Sequence, residues 1–162
     1  QADYSQAIVY YQRGLPLELQ VRDRSTYLFH LAECYEKQED WANAFLYFNQ
    51  FLTVYPQDAR AAEASWHRGN CCWPLANGAF EKEDLEQALY YTDEIISGGQ
   101  PQHYLDEAYY LRGEILLKQQ SYEESRAAFS QVLKLNRFVY KERIADQARR
   151  RILEIDTKRK AE

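Results

Sequence analysis

An all-α chain of stacked antiparallel helix pairs is what this sequence predicts, and three observations predict it. First, one helix-opening phrase occurs four times, starting at Asp3, Asp40, Asp84 and Ser121, with successive spacings of 37, 44 and 37 residues. Each copy begins with Asp or Ser, whose side-chain oxygen can accept from an orphan N–H at a helix start, and carries Gln, Asn or Glu three residues later, the other arm of a capping box. Second, apolar residues between these starts recur at three- and four-residue intervals, the spacing of one helix face. Third, small residues stand in pairs 12 apart, Ala32 with Ala44 and Gly113 with Ser125, where two helices would have to lie close together. A fixed period in this range marks a repeat that stacks on itself and serves as a binding scaffold.

Taken in order, residues 1–24 read as the second helix of a truncated repeat, Asp3 to about Gly14, with its connection. Residues 25–58 form a full repeat: Leu28, Leu31, Ala32 and Tyr35 line one helix, Glu39-Asp40 turns, Ala44, Phe48 and Phe51 line the next, and Pro56 ends the unit. Residues 59–102 form a second repeat with Gly69 and Ala88 in the small slots, 19 apart, which implies a seven-residue insertion at about 74–83. Pro74 is expected to end or kink the helix there, Asn77-Gly78 to turn, and Phe80 either to stand out as an anchor or to tuck the loop down. Ser65, Cys72 and Thr92 stand where larger apolar residues are usual, so this repeat is expected to pack more loosely. Residues 103–137 form the third repeat, with Tyr109, Leu116, Phe129 and Val132 in its apolar slots. Residues 138–162 read as a basic capping helix, about Val139 to Thr157, with a stripe of Ile144, Ala148, Ile152 and Ile155, the alternative being the first helix of a further repeat.

Leu28, Leu31-Ala32, Tyr35, Ala44, Phe48 and Pro56 fill the slots of the tetratricopeptide repeat, and the chain resembles that family over roughly residues 3–137. The resemblance implies a right-handed superhelical α-solenoid of about three repeats plus the capping helix. Arg68 and Arg112 replace the usual leucine before the small residue, a variant common in proteins that this one resembles. The stretch Val54-Tyr55-Pro56-Gln57-Asp58, with Ala61, Glu63-Ala64 and Arg68-Gly69, is also weakly similar to junctions in bacterial envelope lipoproteins of this family. That resemblance implies an alternative role as a structural subunit in outer-membrane or cell-wall assembly. A regulatory domain of a larger enzyme is a third reading.

Bulk properties narrow the function. The chain has 162 residues, 46% of them hydrophobic, which is enough for a continuous core. No apolar run reaches the roughly 20 residues that span a bilayer. The chain begins at Gln1 and contains no methionine, which suggests a piece of a longer or processed protein. Cys34, Cys71 and Cys72 read as reduced thiols packed as small hydrophobes, favouring a cytoplasmic over a periplasmic location. Neither metal nor cofactor is expected. His30, His67 and His103 are dispersed without a nucleophile or an orienting carboxylate, and Gly98-Gly99 precedes Pro101 as a turn, so no catalytic group is expected.

The net charge of −5 is unevenly spread, −10 over residues 1–133 and +5 over 134–162. The acidic body argues against nucleic acid. The runs Arg149-Arg150-Arg151 and Lys158-Arg159-Lys160 read as the solvated face of a cap, or as a surface for head-to-tail self-association. By resemblance, the first helix of each repeat lines a concave groove. Phe29, Trp66 and Tyr110 would then form an aromatic ladder there, followed by Glu33, Asn70 and Glu114, with Trp73 one turn further. The alternative is that these aromatics fill the core. A groove of this make-up is expected to take a neutral or basic peptide or protein segment. Some family members clamp acidic chaperone tails with basic residues, but the corresponding positions here hold Phe29, Glu33, His67, Glu107 and Leu111, beside Asn70, so that ligand is excluded.

Overall fold

The computed structural model describes residues 3–16, 21–98, 101–135 and 142–159. Among them are eight α-helices and no strand: α1 (Tyr4–Gly14), α2 (Val21–Lys37), α3 (Trp41–Val54), α4 (Ala61–Glu81), α5 (Leu85–Gly98), α6 (Leu105–Lys118), α7 (Tyr122–Leu135) and α8 (Glu142–Arg159). The chain divides into two compact units, residues 1–75 and 76–162, and the division falls within α4, between Leu75 and Ala76.

Three turns close in the same way. The N–H of Asp40 donates to the Tyr35 carbonyl five residues back (3.0 Å), and that of Glu39 to Glu36 three back (3.0 Å). Asp84 and Glu83 repeat this onto Ala79 and Phe80, and Ser121 and Gln120 onto Leu116 and Leu117. This is the Schellman arrangement, which satisfies the last carbonyls of a helix by putting one residue in the left-handed region. Glu39, Glu83 and Gln120 occupy it, at φ of 59°, 60° and 62°. The next residue then starts the following helix. Asp3, Asp40 and Asp84 each accept from the backbone N–H three residues on, at 3.1, 3.2 and 3.1 Å. The reciprocal arm of the expected capping box is redundant in these turns, because the N–H of Asp40 and of Asp84 is already spent on the preceding helix.

In the first unit α2 and α3 pair through the expected small residues, Ala32 and Ala44, both fully buried. Around them Leu28, Phe29, Phe48, Phe51, Ala64 and Cys71 form the core. Full burial of each such large apolar side chain contributes about 1.5–3 kcal/mol. In the second unit the Ser125 hydroxyl donates to the Gly113 carbonyl at 2.8 Å, so α6 and α7 touch through the second small pair. A Cβ on Gly113 would lie 2.6 Å from the Phe129 ring.

The expected break at Pro74 does not occur. Helix α4 continues through Pro74, Asn77 and Gly78 to Glu81. Proline withholds one hydrogen bond from the carbonyl of Asn70, and the interior of a helix bears that at about 3 kcal/mol. Beyond it, Ala76 and Ala79 are buried on one face, so packing outweighs the breakers. The seven extra residues are about two more turns of helix rather than a loop. Phe80 lies under the Lys118 ammonium, 5.0 Å from the ring centre, and is not an exposed anchor. Thr92 and Cys72, buried in place of larger side chains, bond back to carbonyls of their own helices, Leu89 at 2.8 Å and Arg68 at 3.4 Å.

The two departures at Arg68 and Arg112 have equivalent contacts. Arg68 reaches Asn49 of α3 at 3.2 Å, and Arg112 reaches Asp93 of α5 at 2.7 Å. Both pairs tie a first helix to the second helix before it. Helix α8 buries Ala145, Ala148 and Ile155, with Ile144 and Ile152 partly covered, so the expected stripe faces the second unit. Val139 to Lys141, the expected start of this helix, lies outside the described residues.

The same substitution is expected to act in opposite directions at two helical glycines. A Cβ on Gly78 meets nothing within 4 Å, so Gly78→Ala should stabilise by about 0.5–1 kcal/mol through helix propensity. Gly113→Ala should destabilise by about 1–3 kcal/mol through overpacking against Phe129. Urea unfolding of the two variants checks both.

Candidate functional site

The three aromatics expected to form one ladder have different surroundings. Phe29 is only 3% exposed. It packs edge-on against Phe48 at 5.8 Å and Phe51 at 5.5 Å, and the Arg60 guanidinium covers it at 5.2 Å. Arg60 is itself held by Asp58, at 2.9 and 3.0 Å, and donates to Ser25 at 2.9 Å. The hydrogen-bonded guanidinium holds the Asp58 carboxyl far below its ordinary range. The expectation that Phe29 faces a groove is therefore corrected: with Ala32 and Ala44 holding α2 against α3, its ring fills the space between them.

Trp66 is 43% exposed on α4. Asn70 and Trp73 follow it at four and seven residues, which puts all three on one face of that helix; both are half-buried. The Trp66 ring stands edge-on to His67 at 5.0 Å. His67 turns the other way and stacks on Phe48 at 5.1 Å, while its Nδ1 meets Glu36 of α2 at 2.7 Å. That carboxylate raises the His67 pKa above its ordinary 6.5; burial opposes the shift, and Glu33 and Glu63 add to it. Glu33 is half-exposed and pairs with His30 at 2.7 Å. Glu36, Glu33 and Glu63 thus gather their charge around His67, the residue that follows the exposed Trp66 on α4. Sequence reasoning missed the Glu36–His67 pair, because no motif links two residues 31 apart on different helices.

Tyr110 and Glu114 belong to the second unit, and α8 engages both. Arg151 grips Glu114 through two bonds, 2.6 and 2.8 Å, and also holds Glu154 at 2.8 Å. Tyr110 packs on Phe129 at 5.3 Å, and burial pushes its hydroxyl pKa up. Glu114 therefore has its charge met from within the chain. The signal for this was present: Glu114 and Arg151 stand 37 apart, one repeat period. Arg149 pairs with Asp146, so two of the three arginines in the basic run are already ion-paired. Cys34, Cys71 and Cys72 are buried thiols outside any disulfide, and desolvation pushes the Cys71 thiol pKa up strongly, which makes it unreactive. Among the described residues no cluster of His, Cys, Asp and Glu could hold a metal ion, and no helix is long and apolar enough to cross a membrane.

Residues 26–58 and 106–138 each match a family model described as tetratricopeptide repeat. No curated protein matches the chain. Among solved structures, the apo form of RapI is similar over 98% of this chain, at 13% identity and a TM-score of 0.55; the chain spans 59% of RapI's length. The first repeat domain of Spaghetti (RPAP3), solved with an HSP90 peptide, aligns over 83% of this chain and 92% of its own, at 16% identity and a TM-score of 0.42. MamA from Desulfovibrio magneticus aligns over 99% and 88%, at 13% identity and a TM-score of 0.46. At such identities the likeness to RapI is one of fold.

The Glu36–His67 pair gives stability a definite pH dependence. A raised histidine pKa means the folded state holds its proton more tightly than the unfolded chain does. The contribution is complete below about pH 6.5, the unfolded value, and is lost as pH rises through the raised folded value. The urea midpoint should therefore be higher at pH 6 than at pH 9, and Glu36→Gln should flatten that difference.

Proposed function

The chain is a tetratricopeptide-repeat protein, and on that premise we propose that it is a non-catalytic scaffold that holds a peptide or protein segment against the α2–α4 face of its first unit, within a larger assembly. The observation that carries this reading is Trp66, a large indole left 43% exposed on α4, three residues after Glu63. Tryptophan dominates binding energy at interfaces, because a rigid ring buries much area at little entropic cost. Asn70 supplies a directional donor and acceptor on the same face, and Trp73 a second apolar surface.

Glu63 selects the ligand, and Glu33 and Glu36, which already meet His30 and His67, add negative potential behind it. They favour a neutral or basic segment, whose Lys or Arg can lie over the Trp66 ring while meeting a carboxylate. An acidic chaperone tail would be repelled. Tyr110 and Glu114, engaged with Phe129 and Arg151, are not assigned to this surface, and Phe29 is core. Self-association through the basic helix loses support, since Arg149 and Arg151 are ion-paired. Three buried thiols outside any disulfide support a cytoplasmic setting. The chemistry needs neither cofactor nor nucleic acid.

Affinity capture from a native extract, read by mass spectrometry, tests the assignment. Trp66→Ala should keep its circular dichroism and lose the captured partner, whereas Tyr110→Phe should retain it. Equal capture by Trp66→Ala would refute the α2–α4 face as the site.

A further inference from the structure

We infer that the second unit holds a binding site for a small aromatic carboxylic acid, in a cleft formed by α5, α6 and α7. Its lining includes Asp93 and Ile96 of α5, Tyr109 and Arg112 of α6, and Ala128 and Gln131 of α7, around an open volume of about 500 Å³. Sites for small molecules fall in the range of roughly 300–1,000 Å³. This cleft shares no residue with the α2–α4 face of the first unit, so the two assignments stand or fall separately.

The internal repeat explains why the cleft is open. Asp3 and Asp84 stand 81 residues apart, as do Asp40 and Ser121, so α1, α2 and α3 correspond in register to α5, α6 and α7. In the first unit this three-helix arrangement is closed. Leu31 of α2 is fully buried and clusters with Ile8 and Cys34, and the Tyr47 ring of α3 packs against that cluster. At the corresponding positions of the second unit, Leu31 is replaced by Arg112 and Tyr47 by Ala128. The second unit thus lacks one aromatic ring and gains a guanidinium at the same place.

Both replacements specify the ligand. Arg112 Nε is shut off from solvent and lies 2.7 Å from Asp93 Oδ1, but its N–H is not aligned for a hydrogen bond there. Among the described residues Arg112 has no other polar partner. A guanidinium carries donors on more than one edge and can hold two carboxylates, as Arg151 does with Glu114 and Glu154. The edge of Arg112 not turned to Asp93 takes the carboxylate of the ligand, and the ring of the ligand fills the space that Ala128 leaves. Tyr109 and Gln131 make no side-chain hydrogen bond among the described residues, so their polar ends remain for a hydroxyl or amide on the ligand.

The probe is N-acetyl-L-tyrosine, which supplies the missing ring and an acid, titrated into the 162-residue chain under reducing conditions and followed by backbone amide NMR shifts. Saturable shifts are expected in α5, α6 and α7. N-acetyl-L-tyrosinamide, of the same shape without the charge, should bind at least tenfold more weakly. Arg112→Gln should weaken the acid at least tenfold, Ala128→Tyr should abolish its binding by restoring the ring, and Trp66→Ala should leave it unchanged. Circular dichroism establishes that each variant keeps its helix content. The comparison of acid with amide uses the unaltered chain, so it decides the matter even where a variant fails to fold. No saturation up to about 20 mM acid, equal binding of the amide, unchanged binding by a folded Arg112→Gln, or shifts confined to the first unit would overturn the inference.

Discussion

Two helices can approach only as closely as the smallest residues between them permit, and the remaining features of this protein depend on that limit at two places. Ala32 faces Ala44 in the first unit, and Gly113 meets Ser125 in the second. Close approach there leaves room beside the contact for large aromatics, and Phe48, Phe51 and Phe129 fill it completely. The Schellman turns deliver the second helix of each pair at the right angle, spending a left-handed residue and the N-cap amide to do so. Packing rather than propensity then governs the outcome, which is why α4 survives a proline and a glycine in its interior.

The same constraint explains which expectations from sequence hold. The helix starts were legible because capping is local: an Asp at a turn has few other uses. The pairing of small residues was legible because it repeats at a fixed interval. The insertion was misread because Pro74, Asn77 and Gly78 are local signals, whereas the burial of Ala76 and Ala79 depends on neighbours distant in sequence. The aromatic slot was misread for a related reason. Phe29, Trp66 and Tyr110 occupy one register position, but their surroundings differ: Phe29 sits under Arg60, Tyr110 against Phe129, and Trp66 in solvent. Period identifies equivalent positions without identifying equivalent exposure.

Charge follows a similar division. Many of the acidic groups that make this chain negative are occupied internally. Asp58 holds Arg60, Asp93 holds Arg112, Glu114 holds Arg151 and Asp156 holds Arg126. Three of these pairs join different helices and the Asp58–Arg60 pair lies within one turn; exposed pairs of this kind contribute little each, about 0–1 kcal/mol. The carboxylates around His67 are a different arrangement, in which Glu36 meets that imidazole and Glu33 meets His30, while Glu63 stands three residues before the exposed Trp66 on α4. A surface can recognise a partner only with groups the fold has not already used, and the α2–α4 face retains such groups.

Hydrogen–deuterium exchange of the chain with and without its captured partner tests the central claim most directly, because it reports every helix at once. The account predicts added protection across residues 61–73 of α4 and the facing part of α2, with residues 105–118 of α6 unchanged. Protection centred on α6, with α4 exchanging as in the free chain, would contradict it.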